Sequence, residues 1–343
     1  MRNLFTILAI SLITGSISSF AQVDYRFNQF MQNPLPVNPA YSGIEDFVDL
    51  KIGYRAQWAG FEGAPTNMFI SGNVALEISP GNDFKDRGIR LYEPEAYNEK
   101  ETDNEFGYRK GRRHGVSFYM LQNSDGGFFN LGAFGNYAYH LRITNQLVWS
   151  VGAGLGYEFS KFDVTDISVA NPINDPTYQG YIKDNRNQRS NIKVNLGTII
   201  YHKQVFIGYS ALNAVDYNIS GSNNYFKDQT SAITHTIQAG FRYKWKYGYL
   251  ITPSLLVRIS PDRPTEYIGM VRARLHDKAW AGIQYIYEGS VGISLGTYLT
   301  KNIGFNYAYE FPTSQIRRAT AGSHEFILAI KLNNKNYSRA YLW

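Results

Sequence analysis

The stretch that decides the fold reads Leu147-Val148-Trp149-Ser150-Val151-Gly152-Ala153-Gly154-Leu155-Gly156-Tyr157-Glu158-Phe159-Ser160. Leu147, Trp149, Val151, Ala153, Leu155, Tyr157 and Phe159 fall on one side, and Val148, Ser150, Gly152, Gly154, Gly156, Glu158 and Ser160 on the other. A period of two belongs to a β-strand, whose successive side chains point to opposite faces. The second face is the informative one. A soluble sandwich would fill it with large apolar side chains, whereas here it is mostly Gly, Ser and charge. The same alternation runs through almost every segment after residue 45. Long strands that are apolar outside and hydrophilic inside predict an all-β chain: a transmembrane antiparallel β-barrel with a polar lumen.

Working outward, alternation and its breaks predict strands near 47–58, 66–78, 114–123, 127–142, 147–160, 190–202, 204–213, 232–245, 248–260, 265–275, 278–288, 290–300, 302–311 and 322–332. That makes about fourteen, an even number as single-chain bacterial barrels have. One missed or split strand would make it twelve or sixteen. Connection lengths give a second test. With both termini in the periplasm, the gaps after strands 4, 6, 8, 10 and 12 should be short, and they are: 143–146, 203, 246–247, 276–277 and 301. The gaps after strands 5, 7 and 13 (161–189, 214–231 and 312–321) should be longer external loops, and they are. One gap breaks the pattern. Residues 79–113 follow strand 2 on the periplasmic side, yet they are long and carry eight acidic and eight basic residues. Their composition is that of a solvated insertion. Their aromatics Tyr92, Tyr97, Phe106 and Tyr108 make the segment a candidate docking loop for a periplasmic partner.

The N-terminus fits an exported chain. Met1-Arg2-Asn3 is a short positive start, Leu4 to Ile17 is mostly apolar, and Ser19-Phe20-Ala21 places small residues before a cut. Residues 1–21 therefore read as a signal peptide. Residues 22–44 form a Pro- and aromatic-rich segment, 45–332 the barrel and 333–343 a C-terminal tail. The N-terminal segment has three Pro and two Asn-Pro steps, which forbid helix. It is apolar enough to be buried, either across the periplasmic mouth or inside the barrel. No stretch approaches the roughly 20 apolar residues of a spanning helix. Tyr (27), Phe (21) and Gly (31) are abundant and Cys is absent. The first two suit interfacial girdles, Gly suits crowded strands, and the lack of Cys excludes disulfides and thiolate metal sites. The formal charge of +6 does not read as nucleic-acid binding, because no Lys/Arg run exceeds two residues. Rims near anionic lipid and lipopolysaccharide account for it.

Chemistry is hard to find. His114, His140, His202, His235, His276 and His324 lie too far apart in sequence for a local metal pair, and no phosphate loop or nucleophile elbow occurs. The reading is a non-enzyme with no cofactor, metal or catalytic residue. The lumen register is richer. It holds Asp49, Lys51, Gly53, Arg55 and Gln57 on strand 1, and Thr234, Thr236, Gln238, Gly240, Arg242 and Lys244 on strand 8. It also holds Glu158, Lys193, Asn195, Glu266, Arg272, Arg274 and Glu310. Mixed charges inside a barrel either rigidify its wall or ring a conducting pore.

Several motifs carry a resemblance. They are Asn33-Pro34, then Asn38-Pro39-Ala40-Tyr41-Ser42-Gly43, then Tyr54-Arg55-Ala56-Gln57-Trp58-Ala59-Gly60, then Gly63-Ala64-Pro65. In order and spacing they resemble the PorP/SprF family of Bacteroidota outer-membrane proteins, and Gly115 to Tyr139 is also similar. The resemblance covers most of the mature chain. It implies a role in type IX secretion and gliding motility beside a large surface adhesin that bears a C-terminal sorting domain. Two departures stand out: Ala56 where a polar residue is expected, and a charged stretch at 79–113 longer than the family's link. For the motif residues themselves an architectural role is the simpler expectation, with Trp58 at the outer boundary and Gly60 to Pro65 in the first external hairpin. The long external loops offer Phe162, Tyr178, Tyr181, Tyr217, Tyr225 and Phe226 as aromatic anchors for an adhesin. The other reading of the chain is a porin or solute channel.

Overall fold

The computed structural model describes residues 27, 29–45, 47–76, 112–144, 147–163, 174, 179, 187–202, 204–220, 231–245, 249–275, 279–300 and 302–332. A 3-10 turn at Pro39–Tyr41 precedes the strands. These are β1 (Val48–Ala56), β2 (Thr66–Leu76), β3 (Arg112–Asp125), β4 (Phe128–Arg142), β5 (Leu147–Phe162), β6 (Gln188–His202), β7 (Val205–Asn218), β8 (Thr234–Phe241), β9 (Tyr243–Lys244), β10 (Leu250–Ser260), β11 (Arg263–Leu275), β12 (Ala279–Ile286), β13 (Ser290–Tyr298), β14 (Ile303–Pro312) and β15 (Ser323–Leu332). All pairings are antiparallel between chain neighbours, and β1 pairs with β15, so the sheet closes into a barrel. No helix among the described residues is long and apolar enough to cross a membrane.

The fifteen segments make fourteen strands. β8 and β9 share one register against β10 and are parted only at Arg242. Pro253 of β10 stands opposite Phe241 in that register and has no N–H to give across it, which interrupts the ladder there. Two other connections differ from expectation. β5 runs on to Phe162, because Asn187 closes it by accepting from the Phe162 N–H at 2.9 Å. β7 runs on to Asn218 past a bulge, where Asn213 takes a φ of 55° and its N–H donates to Asn195 Oδ1 at 2.8 Å.

The two faces fall as the alternation requires. On β5, Trp149, Val151, Ala153, Leu155 and Tyr157 point outward, and Val148, Ser150, Gly152, Gly154 and Gly156 are buried. On β1, Asp49, Lys51, Gly53 and Arg55 are buried in the lumen. Lys244, expected inside, is exposed, because it sits on the two-residue β9 at the rim. The outward face also solves a polar problem. His114, His235 and His324 each meet the hydroxyl of a Tyr on the neighbouring strand (Tyr137, Tyr209 and Tyr307) at 2.5, 2.7 and 2.8 Å. The polar tips satisfy one another where lipid offers no partner. An Ala153→Arg chain is therefore expected to lose about 2–4 kcal/mol of folding free energy, the cost of a charge at mid-membrane depth. Denaturant titration of the barrel in liposomes measures it, and a loss below 1 kcal/mol would refute the lipid-facing assignment.

Five connections of one end are short: 143–146, 203–204, 245–249, 276–278 and 299–302. Residues 77–111 leave the barrel at this same end. Most of the charged insertion 79–113, including Tyr92, Tyr97, Phe106 and Tyr108, lies outside the described residues, as do the signal peptide and the tail 333–343. The opposite end carries the long connections 163–187, 219–233 and 313–322.

Candidate functional site

The lumen is filled by the chain's own N-terminal segment. Phe30, Met31, Leu35, Val37, Ala40, Tyr41 and Ile44 are buried in one apolar cluster with Phe69, Tyr119, Leu121, Phe134, Ile199, Tyr201 and Phe206 of the barrel wall. The segment starts as a chain of turns. The N–H groups of Val37 and Asn38 both donate to Pro34 O at 3.0 Å, and the 3-10 turn follows at Pro39–Tyr41. Proline fixes φ at these corners and gives up donors that a compact plug has no partner for. Of the two placements open from the sequence, the segment takes the interior one.

Polar struts fasten this plug to the contiguous strands β2–β7, with one more to β14. Asn38 is the hub: its Oδ1 accepts from Ala40 N at 2.9 Å, and its Nδ2 donates to the carbonyls of Thr198 (β6) and Tyr209 (β7) at 3.1 and 3.2 Å. Ser210 Oγ donates to Val37 O at 2.6 Å and Ser150 Oγ to Ala40 O at 2.8 Å. Ser42 Oγ shares a 2.8 Å hydrogen bond with Ser117 Oγ of β3. The Gly43 N–H donates to Asn73 Oδ1 of β2 at 2.5 Å. His140 of β4 is buried; its Nε2 donates to Ser42 O at 2.7 Å while its Nδ1 shares a 3.0 Å hydrogen bond with Tyr201 OH. A carbonyl oxygen only accepts, so Nε2 carries a proton. At the plug's two ends, Asn306 donates to Gln29 and Arg113 to the Glu45 carbonyl.

Glycine makes the close approach possible. A Cβ on Gly152 would stand 2.6 Å from Ala40 N and Pro39 C, and one on Gly208 would stand 3.1 Å from Asn38 Nδ2. On Gly115 it would strike the Ser42 carbonyl, and on Gly197 the Asn38 amide. Gly43 itself has a φ of +72° and lies against Gly115. These lumen glycines of β3, β5, β6 and β7 are the bed of the plug, a role more specific than the crowding expected of them.

The second half of the motif works at the long-loop end. Arg55 is fully buried and bridges two carboxylates. Its Nη2 donates to Glu310 at 2.5 Å and its Nη1 to Glu325 at 3.3 Å, which ties β1 to β14 and β15 across the closing seam. Tyr54 beside it points outward. The hairpin after β1 is held by Gln57 N–H to Pro65 O at 2.9 Å, with Ala64 N–H donating to Phe61 O. Gly60 and Gly63 supply φ of +89° and +71°. Trp58, in a left-handed conformation at φ 51°, donates its N–H to Ser323 Oγ at 3.2 Å. Asn33 and Pro34 sit buried in the plug's first turns.

The loop anchors come out differently. Phe162 is a strand residue whose ring packs on Phe128 at 4.4 Å between centroids. Tyr217 stands 65% exposed on β7 opposite Ile192. Tyr178, Tyr181, Tyr225 and Phe226 lie outside the described residues. Sequence reasoning passed over Asn38, Ser42 and His140 as lumen contacts. The signal was there in the buried-face pairs Ser150-x-Gly152 and Gly208-x-Ser210, which set a hydroxyl donor beside a missing side chain.

Solved structures with a similar trace include two toluene transporters and an outer membrane protein. The toluene transporter TbuX of Ralstonia pickettii is 10% identical with a TM-score of 0.46, over 89% of this chain and 93% of that one. The Pseudomonas putida toluene transporter TodX is 8% identical with a TM-score of 0.43, over 90% and 95%. Omp33 of Acinetobacter baumannii is 9% identical with a TM-score of 0.40, over 85% and 99%. No curated protein matches the sequence. The family described as type IX secretion system membrane protein PorP/SprF matches residues 19–330, nearly the whole barrel together with its plug. This outer-membrane barrel belongs to the PorP/SprF family of type IX secretion system membrane proteins.

Proposed function

We propose that this chain is a sealed, noncatalytic barrel that helps export, or holds at the cell surface, a large adhesin bearing a C-terminal sorting domain, and that it serves gliding motility in this way. The observation that carries the reading is the plug. The family's own motif fills the lumen and is fastened to the wall by main-chain and side-chain hydrogen bonds, so the barrel is organised as a scaffold, not as an open pore. Both termini and the short turns face the periplasm in this reading, and the insertion 79–113 faces secretion components there. The long loops face outward to the adhesin. The same plug weighs against the porin reading, which needs a wide aqueous path.

The test is made in cells. Replacing Tyr178, Tyr181 and Tyr225 with Ala is expected to release adhesin into the medium while the amount of folded barrel stays the same. Aromatic anchors within a polar rim carry much of a protein interface, and losing three should be felt. Unchanged retention of the adhesin would refute the loops as its docking surface.

A further inference from the structure

The buried charges of the lumen are sorted by height. At the long-loop end they nearly balance, with one net negative charge: Glu310 and Glu325 share Arg55, and Glu158 holds Lys193 at 2.6 Å. At the short-turn end they do not. Among the described residues, Lys51, Arg113, Arg242, Arg272, Arg274 and Lys331 are buried there with Glu45 and Asp49, six positive charges to two negative. Asp49 is already paired with Lys51.

Arg272 and Arg274 are the sharpest part of this imbalance. They are two residues apart on the inner face of β11, at 7% and 9% exposure, and Arg274 is one residue from the strand's end. Arg274 and Arg242 repel Arg272, while Glu45 attracts it more weakly. Neither guanidinium has a carboxylate within ion-pair distance among the described residues, and Nη1 of Arg272 has no hydrogen-bond partner. Lys331 feels Glu45 and Asp49 as well as Arg274, and its Nζ lies over the rings of Tyr298 and Phe47 at 4.5 and 5.0 Å. Two like charges buried side by side with no ion pair of their own are costly, and a buried donor left unpaired adds to the cost. An arrangement of this kind is relieved by an oxyanion, which a planar guanidinium grips with two parallel hydrogen bonds.

We propose that Arg272 and Arg274, backed by Arg242, form a docking site at the periplasmic mouth for an extended acidic peptide segment of a partner protein. Geometry favours a peptide over a free ion. Side chains two apart on a strand are spaced by roughly 6.6 Å, which is also the spacing of alternate carboxylates along an extended acidic chain. The mouth is the place where such a segment meets these groups, since the plug occupies the lumen beyond it. The inference rests on the reading above only for the compartment; its failure would leave adhesin anchoring standing, and the loss of adhesin anchoring would leave this site intact.

The experiment uses the full purified barrel in detergent at low salt, with fluorescein-labelled hexaglutamate as the probe. Saturable binding is expected, and R272Q/R274Q should weaken it by about tenfold or more, the scale of a lost bidentate contact. The same variant should keep its heat-modifiable gel shift and an undiminished unfolding midpoint, since it removes a repulsion. A purely structural role would instead lower that midpoint and overturn the proposal. As a measurement that needs no variant, hexaglutamate should protect Arg272 and Arg274 of the unmodified chain from phenylglyoxal, read by mass spectrometry. Equal binding by both proteins, or no protection, would overturn the site. Displacement by inorganic phosphate at matched charge as effective as by the unlabelled peptide would overturn the peptide and leave a small-oxyanion site.

Discussion

Replacing Arg55 with Ala is expected to cost the barrel about 3–5 kcal/mol, the range found when one member of a buried ion pair is removed. The argument is one of stranded charge. Arg55 has no exposed surface and feeds two carboxylates, Glu310 and Glu325, through its two terminal nitrogens. Without it those two carboxylates lose the guanidinium that joins them inside the barrel. The position makes matters worse, because Arg55 and Glu325 are register partners across the β1–β15 pair that closes the barrel. R55K should fall between the two: it keeps the charge but has one nitrogen where the native fork has two. The triple variant R55M/E310Q/E325Q should recover most of the loss, since replacing a whole buried ionic group is often close to neutral. Thermal loss of the compact gel form in detergent reads all three. If R55A unfolds within 1 kcal/mol of the unmodified chain, the seam is held by something other than this bridge.

The barrel was legible in the sequence because its evidence is local. Alternation along Leu147–Ser160 names two faces without reference to any other strand, and the short gaps near 143–146, 203 and 276–277 state which strands are joined by turns. The limits appeared where a feature depends on something far away in the chain. Pro253 interrupts a strand eleven residues before it, and only the register shows that. The extra pairing of Val215–Asn218 needs the bulge at Asn213. Arg55 is an ordinary lumen residue until its partners, 255 and 270 residues away, are known. The plug is the largest case. Asn38-Pro39-Ala40-Tyr41-Ser42-Gly43 was readable as turn-forming and buried, and its resemblance to a family was readable too. Nothing within those six residues says that Thr198, Tyr209, Ser150 and His140 will receive them. The lumen glycines carried that information, but a missing side chain looks the same whether it makes room for a plug or eases a bend.

That ambiguity can be removed by experiment, since glycines of the two kinds lie on adjacent strands. Gly152 of β5 faces the plug, and Gly135 of β4 faces lipid with nothing within 4 Å of an added Cβ. Gly135→Leu should therefore be tolerated and insert normally. Gly152→Leu places a branched side chain where even a Cβ would stand 2.6 Å from main-chain atoms of Pro39 and Ala40, and backbone cannot yield as a side-chain tip can. The strand is held on both sides by β4 and β6, so the plug is the part that must move. Moving it breaks the Ser150–Ala40 and Asn38 contacts together and withdraws Tyr41, each large apolar side chain so exposed forfeiting about 1.5–3 kcal/mol. The expected result in planar bilayers is silence from the unmodified barrel and from Gly135→Leu, and large steady currents from Gly152→Leu, because a barrel of this strand number without its plug encloses water. Currents from the unmodified barrel equal to those of Gly152→Leu would mean that the plug does not close the lumen, and the porin reading would take its place. Silence from a folded Gly152→Leu would mean that the segment finds a second seat, and the glycine bed would then be a convenience of packing and not the condition for closure.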